Sequence, residues 1–148
     1  MDTRPLGIDT GYFKGTLAEH NWPSLPPAVR FVLPVFGSGT WLEPKAPQYV
    51  EAIEGSGRLW SPWYFPYADH DPKLIVAQWL KQPRPTHFPV WIDFEFSLSK
   101  KTIPSAAQIK EYAARLEDGL GEAVGIYSRK ELIDKYRVTD GELPDLQR

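Results

Sequence analysis

Two carboxylates one residue apart lie at the end of an apolar run in the middle of the chain. The run covers residues 88–96 and contains Asp93 and Glu95. Side chains alternate between the two faces of a strand, so these acids point the same way, beside Trp91. The opposite face is wholly apolar: Val90, Ile92, Phe94 and Phe96. Two acids on one side of an apolar strand repel each other and lose solvation, which raises at least one pKa and suits general acid–base chemistry.

The pair also has a purely structural interpretation, because Asp and Glu near a strand end can be solvated or can cap a turn. The position of the pair favours a catalytic role instead. Pro89 opens the run and a polar segment at 97–101 closes it, so both acids lie at the carboxyl end of the predicted strand. Enzymes with parallel sheets usually keep their active sites at that end of the strands.

A third acid, Asp9, ends the first predicted strand at residues 6–9. The carboxyl ends of parallel strands share one edge of a sheet, so Asp9 should converge with Asp93 and Glu95. Two carboxyl groups that flank a glycosidic bond can cleave it, since one protonates the leaving oxygen and the other stabilises positive charge at the anomeric carbon. Metal-dependent hydrolysis is the competing chemistry.

Composition limits the class of protein. The chain has 148 residues, a net charge of -2 and no cysteine. The three histidines, His20, His70 and His87, have no short metal-ligand spacing, so we expect no metal and no cofactor. Without a basic run or a long apolar stretch, neither nucleic acid nor a membrane is expected as a partner. The start does not resemble a signal peptide, so we expect synthesis in the cytoplasm without one.

Predicted strands alternate with predicted helices, which indicates βαβ units, a parallel sheet and right-handed crossovers. The strands fall at residues 6–9, 30–36, 58–65, 88–96 and 123–127, and the helices at 47–54, 71–80, 105–120 and 128–136. Pro34 and Pro62 predict irregular strands, because proline removes a donor from the ladder. We expect one domain over 1–138 and a polar tail over 139–148.

In this order, five segments resemble the glycoside hydrolase family 25 lysozymes, which cleave peptidoglycan between N-acetylmuramic acid and N-acetylglucosamine. The segments are Gly7-Ile8-Asp9 with a following aromatic and Gly15, Phe31-Val32, Trp63-Tyr64-Phe65, Pro89 with Asp93-Phe94-Glu95, and Gly125-Ile126-Tyr127. They extend over almost the whole chain. The resemblance implies an α/β fold, a parallel (β/α) barrel of TIM-like type, of which this chain holds about five strands.

The resemblance also implies roles for single residues. Glu95 corresponds to the proton donor, and Asp93 to the carboxylate that steadies the 2-acetamido group or the oxocarbenium-like centre. Asp9 would assist electrostatically. The implied partner is the glycan strand of peptidoglycan, so the protein would act on the cell wall. The positions implied to line the substrate are Tyr12, Tyr64 and Tyr127, together with Trp63, which takes the place of Tyr64 if the alignment shifts by one.

The chain departs from the family in three places. Ser38 stands where the family usually has an acid, and Lys14 stands where it has Gln or Asn. The last three strands of the family, with a further aspartate, have no counterpart after Tyr136. We therefore expect open sheet edges, covered by a second copy or by another polypeptide. The competing functions are a glycan-binding or assembly module without turnover and, third, carbohydrate deacetylation.

Overall fold

The computed structural model describes residues 6–10, 25–86, 88–129 and 131–132 of the chain. These residues form strands and helices in the alternating order expected of an α/β protein. The strands are β1 (Leu6–Thr10), β2 (Val29–Ser38), β3 (Trp41–Leu42), β4 (Leu59–Trp60), β5 (Trp63–Phe65), β6 (Trp91–Phe94) and β7 (Gly125–Ser128). The helices are α1 (Ala46–Gly55), α2 (Pro72–Trp79) and α3 (Ala106–Leu120).

The sheet has the strand order β1-β2-β5-β6-β7, and every pair along this path is parallel. The spatial order follows the chain order, as in a (β/α) barrel, and the described path contains five strand positions. This confirms the predicted fold, an incomplete TIM-like barrel. Along the described path, β1 and β7 are the two end strands.

Both predicted irregularities are present. The third predicted strand is divided at Ser61 and Pro62 into β4 and β5, which pair in parallel with successive parts of β2. The register between β2 and β5 shifts between Val35 and Gly37, directly after Pro34. Strand β2 also runs two residues beyond the predicted end and forms a short antiparallel pairing with β3, which we did not predict.

The helix boundaries follow from capping. Helix α3 starts with the predicted capping box, in which Ser105 Oγ accepts from Gln108 N and Gln108 Oε1 accepts from Ser105 N. It ends at Gly121, whose φ of 75° is left-handed. Helix α2 begins after Asp71, whose side chain accepts from Lys73 N. Helix α1 includes Gly55 instead of stopping before it.

Two expectations concern residues that lie outside the described ranges. Of the predicted last helix at 128–136, residues 128–129 and 131–132 are described: Ser128 belongs to β7 instead, and residues 131–132 are helical. The predicted polar tail at 139–148 lies outside entirely. None of the helices in the described part of the chain combines the length and the apolar character needed to cross a membrane.

The core lies between the sheet and the helices. Its centre is a ring stack, in which Trp79 lies between Tyr64, at 4.8 Å between ring centroids, and Tyr112, at 5.3 Å. The apolar face of β6 packs into this core, with Ile92 and Phe94 fully buried. Phe96 was predicted on the same face but is 48% exposed, because the strand ends at Phe94 and the chain turns away from the core.

Candidate active site

A groove of about 1000 Å³ lies on the other face of the sheet, across all five strand positions. Each strand contributes side chains or backbone from its inner face, which is the face that the helices leave uncovered. The residues that line the groove are Gly7, Ile8, Asp9, Phe31, Leu33, Trp63, Trp91, Asp93, Glu95, Tyr127 and Arg129. The three acids singled out from the sequence are therefore brought together in one groove.

Asp93 is the most deeply placed of the three acids, with 9% of its surface exposed. Its Oδ1 atom is buried, and no hydrogen-bond partner for it is found among the residues that the structure describes. Burial, followed by the nearby carboxylates of Glu95 and Asp9, raises the pKa of Asp93 to about 7, against the opposing charge of Arg129. Asp93 therefore exchanges its proton close to neutral pH.

Glu95 follows the last residue of β6 and lies nearer the mouth of the groove. Its Oε1 atom accepts a hydrogen bond from Nε of Arg129 at 3.2 Å, and the two form an ion pair. The side chain of Glu95 is 25% exposed and that of Arg129 is 74% exposed. We did not single out Arg129 from the sequence. A cation directly after the fifth strand, at the edge where the acids converge, was the signal that could have identified it.

Asp9 completes the acidic group from the opposite side of the groove. It is the fourth residue of β1, and its charge contributes to the raised pKa of Asp93. The acids therefore act on each other electrostatically, although β1 and β6 are separated in the sheet by two strand positions. This agrees with the expectation that the carboxyl ends of parallel strands gather such groups.

Aromatic side chains form much of the groove wall. Trp63 is held there by a hydrogen bond from its Nε1 to the carbonyl oxygen of Leu33 at 3.1 Å. Trp91 lies beside it in register, and the sequence placed it on the face of the acids without giving it a role. Tyr127 is 54% exposed. Its pKa is raised by burial and by the neighbouring carboxylates, so the hydroxyl stays protonated and can donate a hydrogen bond.

The position of Tyr64 corrects one of the expectations about substrate-lining residues. Tyr64 is 3% exposed, stacks on Trp79 and donates its hydroxyl hydrogen to the carbonyl oxygen of Trp79 at 3.3 Å. Since Trp63 faces the groove, the next residue of the strand must face the core. Trp63 therefore occupies the lining position. Tyr12 lies outside the described residues.

Two further residues named from the sequence lie away from the groove. Ser38 donates its hydroxyl hydrogen to the Tyr67 hydroxyl at 3.0 Å and does not line the groove. His70 packs edge-on against Tyr67, with its Nε2 3.9 Å from Asp69. His20 and His87 are outside the described ranges. In the part of the chain that the structure describes, no three His, Cys, Asp or Glu residues are grouped so that they could hold a metal ion.

The arrangement is suited to proton transfer beside a developing positive charge. One carboxyl group, Asp93, changes its charge near neutral pH, and a second, Glu95, lies two residues along the same face. Flat aromatic surfaces at Trp63, Trp91 and Tyr127 offer stacking contacts to the C–H faces of sugar rings. These are the parts needed to hold a glycan chain across two carboxylates.

Structure comparison identifies known proteins with this fold. A family 25 glycosyl hydrolase from Bacillus anthracis superimposes with a TM-score of 0.78 at 19% sequence identity, over 97% of this chain and 70% of that one. A bacterial lysozyme from Streptomyces coelicolor superimposes with a TM-score of 0.72 at 17% identity, over 91% and 68%. The modular autolysin LytC from Streptococcus pneumoniae, in complex with a synthetic peptidoglycan ligand, gives 0.70 at 14% identity, over 86% and 33%.

No family sequence model matches the chain, and no curated protein matches it significantly. The likeness is thus one of three-dimensional structure, and it establishes the fold: the chain folds as the family 25 glycosyl hydrolases and lysozymes do. It extends over nearly all of this chain and about two thirds of the two single enzymes above.

Proposed function

We propose that the protein is a glycosidase of the muramidase type that cleaves the glycan strands of peptidoglycan in the cell wall. The observation that carries the proposal is the convergence of Asp9, Asp93 and Glu95 in one aromatic-walled groove of about 1000 Å³. The groove is the right kind of site for a polymer of sugars, and proteins with the same fold include a lysozyme and an autolysin bound to a synthetic peptidoglycan ligand.

In the proposed reaction, Glu95 gives its proton to the glycosidic oxygen as the bond to the anomeric carbon breaks. Asp93, as a carboxylate, steadies the 2-acetamido group or the positive charge at that carbon, and Asp9 adds to the negative potential. Water then adds to the anomeric carbon and leaves its second proton on the carboxyl pair, which replaces the proton given by Glu95. Because the pKa of Asp93 is raised to about 7, its carboxylate form predominates above that value. We therefore expect kcat/KM to rise with pH up to about 7 on the acidic side of the profile.

The test is release of reducing sugar from purified cell walls by the wild type and by Glu95→Gln. The substitution keeps the shape of the side chain and removes the transferable proton, so the rate should fall at least about a hundredfold. The melting temperature should hold. Glu51→Gln, on the exposed face of α1, is the matched control and should keep full activity. If Glu95→Gln hydrolyses walls at the rate of the wild type, Glu95 is not the acid.

A second candidate function is a wall-glycan binding module without turnover. The observation that favours it is the ion pair between Glu95 and Arg129 at 3.2 Å. In this pair, the carboxyl group proposed as the proton donor is engaged by the arginine. Ser38 adds to this, because it stands where the resembling family usually has an acid and is hydrogen-bonded to Tyr67. Saturable binding to cell walls with no release of reducing sugar would support the module and overturn the glycosidase.

We also propose that a second copy of the chain or another polypeptide completes the sheet. Along the described path, β1 and β7 are end strands, and a strand at the end of a sheet presents backbone groups that can pair with another chain. Leu6 and Tyr127, one on each of these strands, are more than half exposed. Light scattering of the purified chain is the test. A stable monomer at all accessible concentrations would contradict self-association.

A further inference from the structure

We propose that Arg129 is a specificity-determining residue that selects glycans carrying a carboxylate next to the cleaved linkage. On binding, the substrate carboxylate takes Arg129 from Glu95, and Glu95, released from the ion pair, takes up a proton from water that it can then transfer. The inference rests on the proposed function, since it concerns how the same groove recognises an acidic amino-sugar polymer. It is carried by the charges that line the groove and by the geometry of the pair.

Among the described residues that line the groove, acidic side chains outnumber cationic ones. Its described lining contains three carboxyl groups, Asp9, Asp93 and Glu95, and a single cationic side chain, Arg129. An anionic sugar that enters such a groove is repelled by the acids unless a cation meets it. The side chain of Arg129 is 74% exposed, so an incoming substrate can reach it.

The existing ion pair is easy to exchange. The ion pair joins one atom of each partner, Nε of Arg129 and Oε1 of Glu95, at 3.2 Å. A guanidinium group binds a carboxylate most strongly through two parallel hydrogen bonds. A solvent-exposed ion pair shifts an equilibrium by a factor of about five at most. A substrate carboxylate that forms the two-bond contact therefore displaces Glu95 without a large penalty.

The backbone holds the base of Arg129 in a fixed place while its side chain is free to turn. Phe94 and Ser128 are register partners at the ends of β6 and β7, and the Ser128 hydroxyl donates to the carbonyl oxygen of Phe94. Glu95 and Arg129 are the residues that follow these partners. Their backbones are therefore tied side by side, and only the long arginine side chain has to move for the exchange.

The chemical class of ligand follows from this exchange. N-acetylmuramic acid carries a lactyl ether that ends in a carboxyl group, which is free in glycan strands without stem peptides, whereas N-acetylglucosamine carries none. A suitable probe is an oligosaccharide in which the two sugars alternate and the lactyl carboxylates are free. The same oligosaccharide with those groups reduced to alcohols is the neutral counterpart, because its length, acetamido groups and ring faces are unchanged.

The experiment compares the binding of the two oligosaccharides by calorimetry to the wild type, Arg129→Gln and Arg129→Lys. The wild type should bind the acidic oligosaccharide several-fold more tightly, because a two-bond contact between charged groups outweighs the one-bond ion pair that it replaces. Arg129→Gln should bring the ratio close to one. Arg129→Lys should keep part of the preference, since it retains the charge but loses the two-bond geometry. Arg115→Gln, an arginine paired with Glu111 on α3, is the control and should leave the ratio unchanged.

Hydrolysis gives a second readout that a structural role would not produce. Arg129→Gln should cleave the acidic glycan more slowly but the reduced glycan at least as fast as the wild type does, because Glu95 is no longer paired. An equal loss on both glycans, or the same binding ratio in the wild type and Arg129→Gln, would overturn the proposal. If the wild type releases no reducing sugar, the glycosidase proposal fails, while the binding ratio still decides the role of Arg129. Binding of neither oligosaccharide would overturn both.

Discussion

The two faces of β6 place neighbouring residues in opposite environments. On the side of the helices, Ile92 and Phe94 are fully buried among apolar side chains. On the other side, Asp93 is nearly as buried, but it lies among other carboxylates, and one of its oxygens has no hydrogen-bond partner among the described residues. Burial stabilises the fold on the first face and destabilises a charge on the second. The comparison indicates that the strand gives up stability on the side where Asp93 is buried among other carboxylates.

Two tryptophans, Trp79 in the core and Trp63 in the groove, allow the same comparison on the neighbouring elements. Their substitution should have the largest expected effect on stability. Trp79 is 1% exposed in the core stack, whereas Trp63 forms the groove wall. Trp79→Ala should lower the free energy of unfolding by about 3–5 kcal/mol, because it leaves a large cavity. Trp63→Ala should lower it by about 1–2 kcal/mol, since the groove already exposes part of its ring, but it should weaken glycan binding.

Urea unfolding and titration with wall oligosaccharides measure these two effects separately. Trp79→Ala needs a readout of binding at low temperature, where the folded fraction is still high. Equal losses of stability and of glycan affinity in the two variants would contradict the distinction between a stabilising face and a glycan-binding face.

Asp93→Asn tests the destabilised face directly. The folded protein holds the Asp93 proton up to a pKa of about 7, whereas in the unfolded chain the pKa is 3.8. Between these values the folded state binds more protons, so the stability of the wild type falls as pH rises, and the full loss is present above 7. Asparagine carries no charge at any pH. The variant should therefore be more stable at about pH 8, by up to about 4 kcal/mol at about 1.36 kcal/mol per pKa unit, and similar at about pH 4.

Thermal melting of both proteins across this pH range is the measurement, and cell-wall hydrolysis is measured alongside it. Asp93→Asn should lose most of its turnover while it gains stability, because the charge is needed as the anomeric centre becomes positive. A difference in melting temperature that is the same at both ends of the pH range would mean that the carboxyl group is not the source of the pH dependence.

A substitution at Gly125 should have the smallest of these effects, and it tests the groove side of the sheet alone. It is the register partner of Trp91, and a Cβ atom there would lie 2.3 Å from Cε3 of the indole ring. Gly125→Ala should push the ring out of place and lower glycan affinity by about tenfold or less, which is about 1.4 kcal/mol. Gly55→Ala is the control, since a Cβ there meets nothing within 4 Å. Equal affinities for the two variants would show that the position of Trp91 does not matter.

Much of the fold could be predicted because its signals are local. The capping box at Ser105, the left-handed Gly121 and the proline-divided third strand are each set by a few adjacent residues. The face shared by Asp93 and Glu95 follows from the period of two along a single strand. These features depend little on which strand lies next to which.

The parts that could not be predicted depend on how separate strands meet. We predicted Tyr64 in the groove, but it lies in the core. Which residues of β5 face the groove depends on how β5 pairs with β2, and the register of that pairing shifts after Val35. The ion pair of Arg129 with Glu95 arises because Phe94 and Ser128 are register partners across 34 positions of the chain. No spacing within either segment encodes that pairing.

The strand order has a consequence for the way the chain acquires its structure. Along the path, each strand pairs with the one before it, and the partners Ile8 and Val32, Trp63 and Trp91, and Ile92 and Ile126 are 24, 28 and 34 positions apart. The loop entropies that oppose these pairings differ by only about 0.3 kcal/mol. Along the described path, a newly synthesised chain can therefore add its strands one after another.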